Sequence, residues 1–136
     1  MNRFEVVVKY VAISEKTGKE EKISPILLVH TETFGNAEEQ AYDWLEVNTK
    51  GSGFVDSIKR SNIDSIRVEK TDEDFFFVAD MLFLEATKTI KTKVLFNDTS
   101  LGGAEAQVAA LMSDDQYYDE VEGIKKTKII EILNLT

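Results

Sequence analysis

Asn36-Ala37-Glu38-Glu39-Gln40-Ala41 is followed, 67 positions on, by Gly103-Ala104-Glu105-Ala106-Gln107-Val108. At the same offset Leu27-Leu28-Val29 meets Val94-Leu95-Phe96. A second block, Ile58-Lys59-Arg60-Ser61-Asn62-Ile63, lines up with Ile124-Lys125-Lys126-Thr127-Lys128-Ile129 at an offset of 66. Two separate blocks at nearly one offset indicate an internal duplication, and a repeat of this length fixes the organisation before any single element is read.

The first block is helical in both copies. Ala37, Ala41, Trp44 and Leu45 fall at i, i+4, i+7 and i+8, one face of a helix. Their counterparts Ala104, Val108, Leu111 and Met112 are all apolar. Each helix is expected to open after a glycine, with Glu38 and Glu105 in its first turn, where an acid suits the helix dipole.

Strands flank each helix. Residues 3–13 are rich in Val, Phe and Tyr, as strands prefer. Thr17-Gly18-Lys19 marks a hairpin turn, and residues 23–31 form the return strand, with Pro25 near its start. Residues 75–86 and 90–96 play these parts in the second copy. Short strands follow each helix, at 54–59 and 63–69, then at 118–125 and 128–134. Val55 and Ile58 are three apart, which points to a bulge or a late strand start. The predicted fold is α+β: an internal duplication of a ββαββ unit, with antiparallel sheets and one helix packed per repeat. The repeats are residues 1–71 and 72–136, in one compact pseudo-symmetric domain, and the acidic Thr71-Asp72-Glu73-Asp74 joins them.

Composition narrows the chemistry. There is no Cys, so disulfides, thiolate catalysis and Cys-based zinc sites are excluded. The single His is His30, which excludes a two-histidine metal site within one chain. Net charge is −9. Residues 1–70 carry 12 acids and 10 bases and residues 71–136 carry 13 and 6, so the acidity sits in the second half. Such a surface disfavours non-specific nucleic-acid binding but suits DNA mimicry or a basic partner. No signal peptide and no membrane-length apolar run is apparent, and a cytoplasmic setting is expected.

Lys59-Arg60-Ser61 and Lys125-Lys126-Thr127 read as duplicated basic turns, able to hold an anion with a hydroxyl alongside or else charged decoration of exposed turns. His30 and its counterpart Asn97 mark a polar strand–helix junction, with a structural role favoured over catalysis. The acidic groups Asp72-Glu73-Asp74, Asp114-Asp115 and Asp119-Glu120 with Glu122 lack the spacing of a calcium loop and read as solvated surface. Phe75-Phe76-Phe77, Tyr117-Tyr118 and Trp44 lack interleaved bases and read as core or interface. Gly51-Ser52-Gly53 is not followed by the Lys-Thr of a phosphate loop. No catalytic residue, metal or cofactor is expected.

Residues 27–38, Leu27-Leu28-Val29-His30-Thr31-Glu32-Thr33-Phe34-Gly35-Asn36-Ala37-Glu38, together with Val55-Asp56-Ser57-Ile58-Lys59-Arg60, resemble motifs of the family catalogued as domain of unknown function 4494. The resemblance spans nearly the whole chain. It implies a setting in Bacteroidota and their phages, hence the host cytoplasm, and brings no catalytic residues. His30 stands where the family often has Asp, and Gly35 where Thr or Ser usually opens the helix. The leading functional expectation is a non-enzymatic phage or mobile-element accessory protein that binds a protein partner. The alternatives are a binder of a nucleotide or other small anion, and a nucleic-acid-related protein, either an ssDNA binder or an acidic DNA mimic. A homodimer is also expected.

Overall fold

The structure is a computed structural model and describes residues 2–68 and 75–134. The joining stretch 71–74, with its acidic cluster Asp72-Glu73-Asp74, lies outside the described residues. The chain is α+β, with two helices, nine strands and two mixed sheets among the described residues. It divides into two compact units, residues 1–61 with 129–136, and residues 62–128.

In the first unit β1 (Asn2–Ile13) is central. β2 (Glu20–Ile23) and β3 (Ile26–Thr31) pair antiparallel along one of its edges. Val7 faces Ile26 and Tyr10 faces Ile23, three residues along each strand, so β2 and β3 are one ladder interrupted at Ser24-Pro25. Pro25 offers no N–H there, but its carbonyl accepts from the Val8 N–H at 3.1 Å. β4 (Phe54–Arg60) takes the other edge of β1. Val7 faces Ser57 and Val8 faces Val55, so Asp56 is the extra residue of a bulge, as the Val55–Ile58 spacing suggested. α1 (Phe34–Thr49) covers one face. Its Ala37, Ala41 and Leu45 pack with Phe4, Val6, Val8, Leu27 and Val29, and Trp44 lies at the margin.

The second unit repeats this plan. β6 (Phe75–Glu85) is central, between β7 (Lys88–Asp98) and β8 (Tyr118–Lys126), both antiparallel to it. α2 (Leu101–Asp114) packs Val108 and Leu111 against Ala79, Met81, Val94, Phe96 and Tyr118. Of the aromatic run, Phe77 is buried and Phe75 is 46% exposed.

The sheets are not purely antiparallel. β5 (Ser65–Arg67), which follows the first helix and β4 in the chain, pairs with β7 of the second unit. β9 (Ile129–Leu133), which closes the chain, pairs with β3 of the first. Both pairings are parallel. Each sheet therefore receives its last strand from the other half of the sequence. Lys59-Arg60 and Lys125-Lys126 are the last residues of β4 and β8, and Ser61 and Thr127 begin the connections that lead to the other sheet, so neither segment is a hairpin turn.

The helix starts also differ from expectation. Thr33 and Ser100 are the N-caps, in extended conformation, and their hydroxyls accept from the N–H groups of Asn36 and Gly103, each at 3.1 Å. Gly35 and Gly102 sit inside the first turn. Neither first turn holds an acid; Glu38 and Glu105 lie one turn further on. A hydroxyl one residue before the helix is a better acceptor than a glycine within it. The Gly51-Ser52-Gly53 stretch ends α1. Gly51 has φ +77°, and a Cβ on Gly53 would stand 2.7 Å from Leu45 and 2.8 Å from the Lys9 carbonyl.

Candidate functional site

The cross-strand register decides where the basic residues point. Ile124 faces Ala79, Lys125 faces Val78 and Lys126 faces Phe77. Ala79 belongs to the core under α2, and side chains alternate along a strand, so Lys126 stands on the helix side and Lys125 on the other. The first unit behaves alike. Arg60 faces Phe4, on the helix side, and Lys59 faces Glu5, on the other. Each basic pair is thus divided by its own sheet. The anion site expected from two adjacent cations reduces to one cation per helix-side corner, Arg60 or Lys126.

Of the hydroxyls expected beside those cations, that of Thr127 is committed elsewhere. Thr127 donates its hydroxyl to the Phe76 carbonyl at 2.9 Å, and its N–H to the same oxygen at 2.8 Å. The Ser61 N–H donates to the Arg3 carbonyl at 2.8 Å. These bonds anchor each crossover to the neighbouring strand.

The helix-side corners differ. In the first unit, Phe34 packs on Phe4 with ring centroids 4.7 Å apart, and Arg60 Nη1 donates to Asn2 Oδ1 at 3.4 Å. In the second unit Leu101 takes the place of Phe34, and a cavity of about 450 Å³ opens beside it. Its apolar lining is Phe75, Phe77, Leu101 and Ile124, and its polar lining is Thr99, Ser100, Lys125 and Lys126. The Lys126 ammonium lies 3.6 Å from the centroid of the Phe75 ring. A cation over an aromatic face at an exposed site contributes about 0.5–1 kcal/mol, enough to bias the lysine toward this corner.

Thr99 and Ser100 were not among the sequence candidates. Ser100 had a readable signal, a hydroxyl residue just ahead of an apolar-periodic run. Two further residues were missed. Gln40 Nε2 donates to Thr31 Oγ1 at 3.2 Å, and Gln107 Nε2 donates to Asp98 Oδ2 at 2.7 Å. Both glutamines are identical residues in the aligned blocks, which was the signal. His30 and Asn97 stand one position before these contacts. His30 faces Arg3 across the ladder, and its Nδ1 is buried with no hydrogen-bond partner among the described residues. Asn97 is buried, and its carbonyl accepts from Gln107 Nε2 at 2.7 Å. At the strand–helix junction Gln40 thus reaches Thr31, and Gln107 reaches both Asp98 and the Asn97 carbonyl.

Asp98 holds its proton less tightly than an ordinary aspartate. The Gln107 amide is the main cause; burial opposes it, and the N–H groups of Thr99 and Ser100 and the Thr99 hydroxyl each add a smaller push in the same direction as Gln107. Elsewhere in the second unit Asp64, Asp80 and Glu122 line a cavity of about 410 Å³. Lys93 stands among them, paired with Asp80 at 2.5 Å. Among the described residues no three His, Cys, Asp or Glu side chains form a group that could hold a metal ion. No helix among them is long and apolar enough to cross a membrane.

The chain matches the family model described as Domain of unknown function (DUF4494) over residues 2–135. It belongs to that family. No curated protein matches it. Membership of DUF4494 agrees with the resemblance read from residues 27–38 and 55–60, and the family's description assigns no activity.

Proposed function

We propose that this chain is a non-enzymatic binding protein. Its site is the cavity under Lys126, and its ligand combines a flat apolar body with an anionic group, as a nucleotide does. The observation that supports this reading most is the Lys126 ammonium poised over Phe75 at the mouth of a cavity floored by Phe77, Leu101 and Ile124. An aromatic wall takes the ligand's flat body, and an ammonium with nearby hydroxyls takes its charge. The matched helix, strand and loop plan of the two units supports descent from a duplicated ββαββ unit. One corner then kept its aromatic plug, Phe34, and the other opened. The phage or mobile-element setting and action in the host cytoplasm belong to the same proposal.

Native mass spectrometry of the freshly purified protein, followed by titration with a nucleotide panel, tests the reading. Lys126→Glu should weaken binding by about tenfold or more, the worth of a lost charge-assisted bond. Lys59→Glu, an equal charge change in the other unit, should leave it unchanged. The reading fails if no nucleotide is retained or bound, or if the two variants behave alike.

A protein partner is the second reading. β8 pairs with β6 as far as Phe83, and the Tyr117 carbonyl accepts from the Leu84 N–H at 2.6 Å, so only the tip of the β6–β7 hairpin runs beyond it. Leu84 and Ile90 near that tip are 40% and 42% exposed. Exposed apolar side chains near a hairpin tip suit docking to another protein.

A further inference from the structure

β8 ends the second sheet, in the order β5-β7-β6-β8, and pairs among the described residues with β6 alone. At nine residues it is the longest of the sheet-edge strands β4, β5, β8 and β9. A free strand edge presents backbone donors and acceptors to any chain whose side chains match it. The sequence of β8 is its own match. It runs Asp119-Glu120-Val121-Glu122-Gly123-Ile124-Lys125-Lys126, acidic at one end and basic at the other. The described ion pairs are Lys9–Asp56 and Lys93–Asp80, so neither Glu120 nor Lys125 has an ionic partner among the described residues. The corresponding edge strand β4 differs, because its Asp56 is already taken by Lys9 at 3.6 Å.

We propose that β8 pairs antiparallel with β8 of a second copy of this chain, about a two-fold axis between Glu122 and Gly123. The register follows from the faces. Val121 and Ile124 oppose Met81 and Ala79, on the helix side, whereas Glu120 and Lys125 oppose Leu82 and Val78, on the other. Setting Val121 against Ile124 of the second copy keeps the apolar pair on one face. The same register sets Glu120 against Lys125 on the other face, and the symmetry makes each pair twice. Asp119 falls at the basic end and Glu122 opposite Gly123, whose missing side chain has open space around it. A register centred on Val121 would instead oppose Glu120 to Glu122. β8 carries bulges at Glu122 and Asp119, which twist its edge locally, so a pairing strand must match that twist, as a second β8 does. Joining the two four-stranded sheets yields one continuous eight-stranded sheet, with α2 of each copy on the same side.

Sedimentation equilibrium across micromolar to millimolar protein tests the proposal. The full chain should show a concentration-dependent monomer–dimer equilibrium. Glu120→Lys alone, or Lys125→Glu alone, replaces two attractions by two repulsions and should raise the dimer Kd by about tenfold or more. The double variant Glu120→Lys with Lys125→Glu restores opposite charges and should recover the wild-type Kd. A chain monomeric throughout, or a dimer indifferent to the single reversals, overturns the proposal. So does a double variant no tighter than the singles while circular dichroism shows all variants folded.

Discussion

The Gln107 side-chain amide stands 2.7 Å from the Asp98 carboxylate and ties the end of β7 to the second turn of α2. This bond is the main reason that Asp98 ionises more readily than an ordinary aspartate. A carboxyl whose folded pKa is depressed contributes stability that is fully present above its unfolded pKa. That contribution is lost as pH falls through the folded value. The chain should therefore lose stability on acidification below the ordinary aspartate range, and Asp98→Asn should flatten that part of the profile. Urea midpoints measured over a pH series report this directly. Parallel profiles for the two proteins would show that Asp98 is not a source of the acid sensitivity.

The same carboxylate dictates a glycine. A Cβ on Gly103 would come 2.0 Å from Asp98 Oδ1, and the carboxylate has little freedom to retreat while Gln107 and Thr99 hold it. Gly103→Ala should destabilise by about 1–3 kcal/mol, the usual cost of overpacking. At Gly102 the nearest atom to a Cβ is Ser100 Oγ at 3.9 Å, so Gly102→Ala should stabilise by roughly 0.5–1 kcal/mol. Thermal melts of the two neighbours should move in opposite directions. Removing the carboxylate with Asp98→Ala should abolish the penalty at Gly103.

Local features of the fold were legible because local chemistry sets them. Val, Phe and Tyr content and turn signals located the strands, the Ala37–Leu45 face located α1, and the Val55–Ile58 spacing left a bulge or a late strand start, of which the register shows the bulge, at Asp56. The helix caps were misplaced by two residues because both glycines and hydroxyls stood nearby, and capping depends on which of them has extended backbone. The exchange of β5 and β9 left no local mark. Ile66 and Ile132 are equivalent apolar strand residues, and nothing in either segment says which of two similar edges it joins. The split of Lys125 from Lys126 follows from period-two alternation once the segment is known to be strand to its end. Read as a turn, the same residues looked like neighbours on one surface. The cavity was invisible for a different reason, since it depends on Leu101 standing where the other unit has Phe34.

Trp44 Nε1 donates to Glu131 Oε2 at 2.6 Å, which links α1 to β9 across 87 residues of sequence. Gln40 Oε1 accepts from Asn134 Nδ2 one helical turn away. Because Trp44 is the only tryptophan, its fluorescence reports on whether β9 is docked. Glu131→Ala should shift the emission to longer wavelength in native buffer. A double-mutant cycle of Trp44→Phe with Glu131→Ala should give a coupling of about 1 kcal/mol, the net worth of an ordinary hydrogen bond. Additive effects would mean that the indole and the carboxylate are neighbours without an energetic link.

The strand exchange predicts which pieces of the chain hold together. Residues 62–128 form a contiguous compact unit containing β5, β7, β6, β8 and α2. A fragment of residues 72–136 lacks Ser65–Arg67, so the β7 edge at Val94, Leu95 and Phe96 loses its parallel neighbour. It also carries β9 without the β3 strand that β9 pairs with. An unpaired edge with buried apolar residues costs both backbone hydrogen bonds and apolar burial. The 62–128 fragment should therefore give dispersed amide resonances and slow hydrogen exchange at Val94 and Phe96. The 72–136 fragment should give weaker protection there and aggregate more readily through the bare edge. If 72–136 proves the better ordered of the two, β5 contributes nothing to its sheet, and the second half closes its own edge when expressed alone.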